Sequence, residues 1–497
     1  MLAILVAITV VLTSYWLIAA LKRPKNYPPG PQWLPIVGNT PYVRSLARKV
    51  GGQHLAFEEL SKLHKSPVLG LKLGTDLVVV ALTYPIVKEV HNKEEFDGRP
   101  DNFFLRLRTM GTRLGITCTD GEHWAEHRNF VVRHLRQLGY GRQTMESHIQ
   151  NQLNELLALI KDLNGAEIWP GKFLPPSVIN VLWTFTTGSR ISRNDKRLVR
   201  LLELLNRRSK VFDMSGGMLS QMPWMRFIAP EYTGYNLIKE FNNELHEFFM
   251  ETIRSHQETY SEDKAGDDLI YAYIQEMKER EHDRDSTFTE VQLTMIILDI
   301  FIAGSQTTSI TIDLALMMMV VRPDIQKKVF AEILNTIGQE KLPNIGDKTV
   351  LPYTEAFLFE VQRFFHIVPV SGPRRALRET TLGGYRIPKN TTILMGLRTV
   401  HMDKDYWGDP EVFRPERFLN GDGQLVKNER LMPFGQGRRR CLGDSLARAC
   451  MFTFLVGILQ KYEIVQAEGK DPPSMDLLPG ITLSPKPYLV QFKSRVK

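Results

Sequence analysis

The stretch LDIFIAGSQTTSITIDLALMMMV lies inside a segment from Thr289 to Arg322 that is apolar on every face of the helix it would form. A helix without a polar face has to be covered all round, so this one crosses the interior of a large globule and the rest of the chain must wrap it. Its ends are marked. Thr289 stands at the N-cap position with Gln292 three residues on, and Pro323 stops the helix after Arg322. Within it Ala303, Gly304, Ser305, Gln306, Thr307 and Thr308 are small or polar. Gly costs about 1 kcal/mol against Ala in a helix interior, so Gly304 implies either a ligand lying against the helix or a second helix packed close.

The covering material is mostly helical. Apolar residues recur at helical intervals from Met145 to Leu163 and from Glu240 to His256, while PVLGLKLGTDLVVVAL, TLGGYRIPKNTTILMGL and GITLSPKPYLVQF read as short strands broken by Gly or Pro. The fold class is therefore mainly α with small β-sheets. No Gly/Ser linker, repeat or low-complexity block interrupts residues 36–497, which read as one large domain. Before it, residues 22–35 are basic and proline-rich, a stiff spacer. Residues 1–21 carry no charge and would span about 30 Å as a helix, the length of a membrane anchor. Lys22, Arg23 and Lys25 follow this segment, which predicts the bulk of the chain on the cytosolic side.

The net charge of +8 suits an acidic protein partner or an anionic membrane surface. No Lys/Arg run with interleaved aromatics is present, so nucleic acid is not an expected partner. The three cysteines, Cys118, Cys441 and Cys450, are too few and too scattered for a disulfide framework or structural zinc. Cys118 and Cys450 read as small buried hydrophobes. Cys441 stands apart, in FGQGRRRCLG behind three arginines. Positive charge and free backbone N–H groups favour the thiolate, which leaves a nucleophile, a redox thiol and an axial ligand to iron all open.

Four separated patterns narrow that choice: Phe434-x-x-Gly437-x-Arg439-x-Cys441-x-Gly443, Glu360-x-x-Arg363, FRPERF from Phe413 to Phe418, and AGSQTT on the apolar helix. In this order and at these separations they resemble the cytochrome P-450 family of haem-thiolate monooxygenases, over essentially the whole chain. The resemblance implies a single large haem domain behind an N-terminal transmembrane helix. It implies haem b (heme b, iron-protoporphyrin IX) as cofactor, with Cys441 as its axial iron ligand, and electrons from NADPH through an NADPH-cytochrome P-450 reductase, a flavoprotein. Phe434, Gly437 and Gly443 would shape the surroundings of the sulfur, and Arg439, Trp124, Arg128 and Arg374 would hold the haem propionates. Arg438 and Arg440 would face outward, either as a docking surface for the reductase or as plain solvated charge. Glu360, Arg363 and Arg417 would form a buried structural triad. The implied setting is the endoplasmic reticulum membrane with the catalytic domain in the cytosol, taking O2 and a small lipophilic substrate that reaches the site through membrane lipid. His123 and His127 in HWAEHR have a spacing that can bind zinc, but no Glu stands in the metalloprotease position and no third ligand is near.

The chain departs from the family where an acid usually precedes a threonine and here Gln306 precedes Thr307. That pair relays protons during dioxygen activation. Gln306 cannot ionise but has donors and acceptors that can hold water; the alternatives are delivery by Thr307 and ordered water, or a haem-thiolate isomerase or dehydratase that needs no such relay. A non-enzymatic haem sensor and a cysteine hydrolase are further alternatives. Phe301, Ala303, Gly304 and Val368 are expected on the substrate pocket, within segments rich in Phe, Leu, Met and Val. The texture of EEFDGRPDNFFLRLRTMGTRLGIT, DMSGGMLSQMPW and IAGSQTTS resembles the insect branch near the vertebrate microsomal enzymes. Within that branch it implies epoxidation of a sesquiterpenoid ester, methyl farnesoate, to juvenile hormone, with hydroxylation of another terpenoid, a fatty acid or a foreign compound next.

Overall fold

The computed structural model describes residues 21–495 and positions 1, 4, 5, 8, 9 and 12; apart from those positions, the expected anchor over 1–21 lies outside the described residues. The helices that build the site are α1 (Gly121–Gln137), α2 (Gln143–Asp162), α3 (Pro170–Thr187), α4 (Lys196–Val211), α5 (Tyr235–Glu258), α6 (Glu290–Val321), α7 (Pro352–Phe365) and α8 (Asp444–Lys461).

The apolar segment forms α6. Thr289 Oγ1 accepts from the Gln292 N–H at 3.2 Å, and Arg322 is the C-cap before Pro323. Among the described residues α6 is long and apolar enough to cross a membrane, yet most of it is buried inside the protein. Its cover comes from α3, α5 and α8. Trp183 of α3 stacks on Phe248 of α5 with ring centroids 5.4 Å apart and meets Phe301 of α6 edge-on at 6.0 Å. Gly304 faces α3 so closely that a Cβ would strike the Leu182 side chain. Helix packing, not a ligand, accounts for that glycine. Helix α8, apolar through its middle from Ala449 to Leu459 apart from Thr453, is a second central helix, with Phe452, Phe454, Leu455 and Val456 buried.

A four-stranded sheet flanks the helices in the order β1 (Val68–Leu73), β2 (Asp76–Ala81), β4 (Thr392–Met395), β3 (Arg374–Arg375). β1 and β2 are an antiparallel hairpin, Val68 opposite Ala81, turned by Gly74 at φ 63°. β2 and β4 run parallel with Val78 opposite Thr392, and β3 pairs antiparallel with β4. The centres of β1, β2 and β4 are apolar on both faces because both are covered: Val68, Val79, Ala81, Ile393 and Met395 pack on one side, Leu69, Leu71, Val78, Val80 and Leu394 on the other. The proline-rich segment lies against this sheet. Tyr27 donates its hydroxyl to the Val78 carbonyl at 3.0 Å, Pro29 O accepts from the Gly70 N–H at 2.8 Å, and Trp33 is buried beside them.

Glu360 on α7 ties that helix to the loop before Phe418. Its Oε1 accepts from Arg363 Nη2 at 2.7 Å, Arg417 Nε at 3.0 Å and the Arg414 N–H at 2.9 Å, and its Oε2 accepts from Arg363 Nε at 2.7 Å. Glu360 and Arg363 have no solvent exposure. A buried acid is tolerable only when paired and fully hydrogen-bonded, and each carboxylate oxygen is.

Candidate functional site

Two adjoining cavities lie against α6, one of about 240 Å³ and one of about 270 Å³, sharing Arg99, Thr307, Val368 and Gly372 on their walls. The smaller is a slot. Thr307, Thr308 and Thr311 of α6 stand on it, as do Cys441, Phe434 and Ala447 from the chain entering α8. The sequence motifs at 306–307 and 434–441, more than a hundred residues apart, thus meet across one space.

The cysteine loop is held by its own backbone. The Cys441 N–H donates to the Phe434 carbonyl at 2.9 Å and the Arg440 N–H to the Gly437 carbonyl at 3.2 Å. Gly437 has φ 71°, and a Cβ there would strike the carbonyl oxygen of His91; its freedom makes room for that carbonyl. At Gly443 a Cβ would sit 3.9 Å from the Cys441 sulfur, in ordinary contact. Enclosure pushes the Cys441 thiol up from its usual value, opposed by the Gly443 N–H and by the charges of Arg128 and Arg440. The positive cluster expected to ionise the thiol is dispersed, because each arginine has its own acceptor. Arg438 reaches Glu94 and Asp97 at 3.5 Å, Arg439 donates to the carbonyls of Asp97 at 3.0 Å and Thr119 at 2.9 Å, and Arg440 pairs with Asp444. The Arg438 and Arg440 side chains remain more than half exposed. A bound metal cation, by contrast, deprotonates a coordinating thiol outright.

The slot has a strongly cationic rim. Arg99, Arg374 and Arg439 all line it. Burial lowers Arg374 to about 9 and Arg439 to about 8, and in both the charge of Arg99 adds to the effect; Asp97 opposes it. Arg374 Nη1 donates to Asp97 Oδ1 at 2.8 Å. Among the described residues, Nη1 of Arg439 and Nε of Arg99 are buried with no hydrogen-bond partner. Buried donors without acceptors are costly, and three arginines that repel one another across a slot need anions there. A flat group with two carboxylates and a thiolate-seeking metal meets this donor set, which is the description of haem b. Arg99 and His91 were not singled out by the sequence. His91 lies in the last turn of a short helix, Tyr84–Asn92, and Arg99 follows it; only the fold brings them beside residues more than 270 positions away.

Other expected residues take other places. Trp124 is buried beneath the guanidinium of Arg439, 3.9 Å from its ring centroid, and so orients that arginine without lining the slot. Arg128 donates to the Arg440 carbonyl at 2.9 Å and braces the cysteine loop from outside. His127 packs against His123 and Phe288 and is lowered to about 4 by burial and the nearby His123. Ala303 and Gln306 line the larger cavity, and Val368 lines both. Phe301 and Gly304 line neither, since Phe301 is fully buried among Trp183 and Phe249 and Gly304 faces Leu182. Cys450 is fully buried and its thiol is raised to about 12 by burial. Cys118, also buried, accepts from Arg108 Nη1 at 3.2 Å and lies on the larger cavity.

On α6 the hydroxyls bond back along the helix: Thr307 Oγ1 donates to the Ala303 carbonyl at 2.9 Å and Thr311 Oγ1 to the Thr307 carbonyl at 2.9 Å. With its proton so committed, the Thr307 hydroxyl presents acceptor lone pairs to the space between the cavities.

The family model described as Cytochrome P450 matches residues 28–492. The chain is 54% identical over 498 residues, 99% of both chains, to the Drosophila melanogaster protein named "Probable cytochrome P450 305a1". It is 36% identical to "Farnesoate epoxidase" of Bombyx mori, over 97% of this chain and 96% of that one. To human "Cytochrome P450 2J2" it is 34% identical, over 93% of this chain and 90% of that one.

Proposed function

The chain belongs to the cytochrome P-450 monooxygenase family, and from that premise we propose that it inserts one oxygen atom of O2 into a lipophilic substrate, with Cys441 as the residue that would hold the iron of haem b. The observation that carries the reading is the slot with Cys441 on one wall, Thr307 on the facing helix and unpartnered arginine donors at its rim. Arg99, Arg374 and Arg439 would hold the two propionates, and Trp124 keeps Arg439 turned toward them. When bound, the haem supplies the redox chemistry that activates dioxygen, its electronics tuned by the thiolate. The protein's share is positioning and proton supply. The acceptor face of Thr307 fixes a water or a protonated group at the junction of the cavities, and the Gln306 amide, with a donor and an acceptor on the larger cavity, continues that hydrogen-bonded path.

Electrons would come from NADPH through the reductase, docking over the exposed ends of Arg438 and Arg440, at the cytosolic face of the endoplasmic reticulum. The apolar larger cavity favours a lipid-soluble substrate. Epoxidation of methyl farnesoate is the first activity to assay, supported by the 36% identity to the Bombyx mori enzyme; hydroxylation of another terpenoid or a fatty acid is the second. Gln306 in place of an acid favours one further reading, an isomerase or dehydratase. The test is the reduced, carbon monoxide-bound spectrum of wild type and Cys441→Ser, followed by incubation with reductase, NADPH and methyl farnesoate. A red-shifted thiolate band lost in Cys441→Ser and a product heavier by one oxygen are expected. A band that survives the substitution overturns the ligand assignment, and turnover without NADPH overturns monooxygenation.

A further inference from the structure

The larger cavity contains a charge that the proposed chemistry does not use. Its wall is largely apolar, with Phe104, Leu105, Leu205, Ile302 and Ile481 upon it. Onto this wall comes Arg208, from the last turn of α4, only 5% exposed. Among the described residues its side chain has no hydrogen-bond acceptor and no ion-pair partner; its one contact of note is the Phe241 ring, 5.8 Å from the guanidinium carbon. The two acids on the same cavity do not serve it. Asp213 accepts from the Ser215 N–H at 2.9 Å, the Ser215 hydroxyl at 2.6 Å and the Gly217 N–H at 3.2 Å, and Asp76 lies beside Thr75. Arg108, also on this wall, is the contrast: it is paired with Asp299 at 2.8 Å. That pair is closed, since Asp299 Oδ2 also takes the N–H groups of Ile116 at 2.7 Å and Thr117 at 2.8 Å.

A buried guanidinium without an anion costs several kcal/mol. A protein retains one where a ligand supplies the missing charge, and guanidinium matches a carboxylate through two parallel N–H···O bonds. Burial, and then the charge of Arg108, lower Arg208 to about 9, which leaves it charged at neutral pH. We propose that Arg208 binds the carboxylate of an acid substrate, so that the cavity prefers a lipophilic carboxylic acid to its ester, including farnesoic acid to methyl farnesoate, with the apolar tail laid across the cavity toward Ala303 and Thr307 of α6. The inference rests on the monooxygenase reading for its catalytic end. It depends on the cavity alone for its anionic end. An ester offers a single weak carbonyl acceptor and leaves the charge unpaired, so discrimination follows from the same unpaired group.

The experiment uses the full-length haem protein and two matched pairs of probes, farnesoic acid with methyl farnesoate and dodecanoic acid with methyl dodecanoate. Binding is followed by the haem absorption change and, independently of the haem, by equilibrium dialysis. Each acid is expected to bind wild type at least about tenfold more tightly than its ester, and Arg208→Gln to weaken the acids about 10- to 100-fold, the loss of a charged hydrogen-bonded pair, while ester affinities stay within about threefold. Arg208→Lys should fall between. Arg208→Met, which removes the buried charge, should fold at least as well as wild type and bind esters, which guards against a variant lost to misfolding. Equal wild-type affinity for acid and ester, or acid binding unchanged in Arg208→Gln, overturns the proposal. Arg208-dependent acid binding without NADPH-dependent product would sustain it and overturn the monooxygenase reading; ester oxidation indifferent to residue 208 would do the reverse.

Discussion

Glu360→Gln is an isosteric change that should loosen the haem loop from a distance. Glu360 Oε1 receives three donors and Oε2 one, all between 2.7 and 3.0 Å. Glutamine keeps one oxygen and turns an NH2 group toward a guanidinium N–H, whichever way it is placed. Arg417 retains Asp409 at 3.2 Å, whereas Glu360 is the acid paired with Arg363, so the buried charge left uncompensated is that of Arg363. Breaking such a pair costs about 3–5 kcal/mol. Unfolding entropy of about 2.1 cal/mol/K per residue over 497 residues comes to about 1 kcal/mol/K, so the thermal midpoint should fall by only about 3–5 °C. Haem retention should be the more sensitive reading. Arg363 Nη1 donates to the His401 carbonyl at 2.9 Å, and His401 Nε2 accepts from the Met432 N–H at 3.1 Å, two residues before Phe434, whose carbonyl holds the Cys441 N–H. The assay is a double-mutant cycle of Glu360→Gln and Arg363→Met, with midpoints at a fixed scan rate and the carbon monoxide spectrum of each protein. A coupling of about 2–3 kcal/mol is expected, because removing the second charge relieves the first loss. Additive midpoints, with an undiminished thiolate band in Glu360→Gln, would refute the reasoning.

Gly437→Ala should abolish haem incorporation, since it combines a positive φ with a clash against the His91 carbonyl, while Gly443→Ala should retain it; haem per polypeptide in the two variants decides the matter. Gly304→Ala should shift the thermal midpoint little, since the Leu182 methyl it meets can turn aside and Ala favours the helix by about 1 kcal/mol, with substrate affinity unchanged; altered affinity with normal stability would return Gly304 to the pocket. Thr307→Ala should reduce product formed per NADPH consumed at least about tenfold, and unchanged coupling would remove the hydroxyl from the proton path. Asp313, buried on α6 with the Tyr488 hydroxyl donating to Oδ1 at 2.6 Å, is raised by burial to about 7 from 3.8. Its native form therefore keeps a proton that the unfolded chain releases between about pH 4 and 7, and stability falls as pH rises through that window by as much as about 4 kcal/mol. Asp313→Asn should flatten this fall, so that its midpoint matches wild type only near pH 4 and exceeds it by a margin that grows up to about pH 7; parallel curves would exclude the effect.

What the sequence made legible was local. The limits of α6 follow from Thr289, Gln292 and Pro323, and the β1–β2 hairpin from an apolar run broken at Gly74. The two ends of the site were also visible, because Cys441 and the Gln306–Thr307 pair sit in spacings with little other use. The rest depended on distance in the chain. Arg438, Arg439 and Arg440 form one cluster in sequence, but a side chain's charge acts where its acceptor lies, and their acceptors are on residues 94–97, on Thr119 and on Asp444. Gly304 and Phe301 have neighbours in sequence that face the cavity, yet a rotation of about 100° per residue along a helix turns them to α3 and α5 while Ala303 and Thr307 remain exposed to ligand.

The same distance explains why the charges that matter most for specificity were invisible. An arginine in RRSK at the end of an amphipathic helix looks solvated, and its neighbours Arg207 and Lys210 are exposed. Burial of Arg208 arises only in the fold, where the Phe241 ring of α5 packs beside it and the Ile481 N–H of the C-terminal loop bonds the carbonyl of its neighbour Ser209. Of the three arginines on this cavity, Arg99 donates to the carbonyls of Gly372 and Pro373, Arg108 is paired with an acid, Asp299, and Arg208 has no acceptor among the described residues. Leaving Arg208 open imposes a penalty on the empty protein that a carboxylate removes on entry, and this difference between two chemically identical side chains is what assigns one to the fold and the other to the substrate.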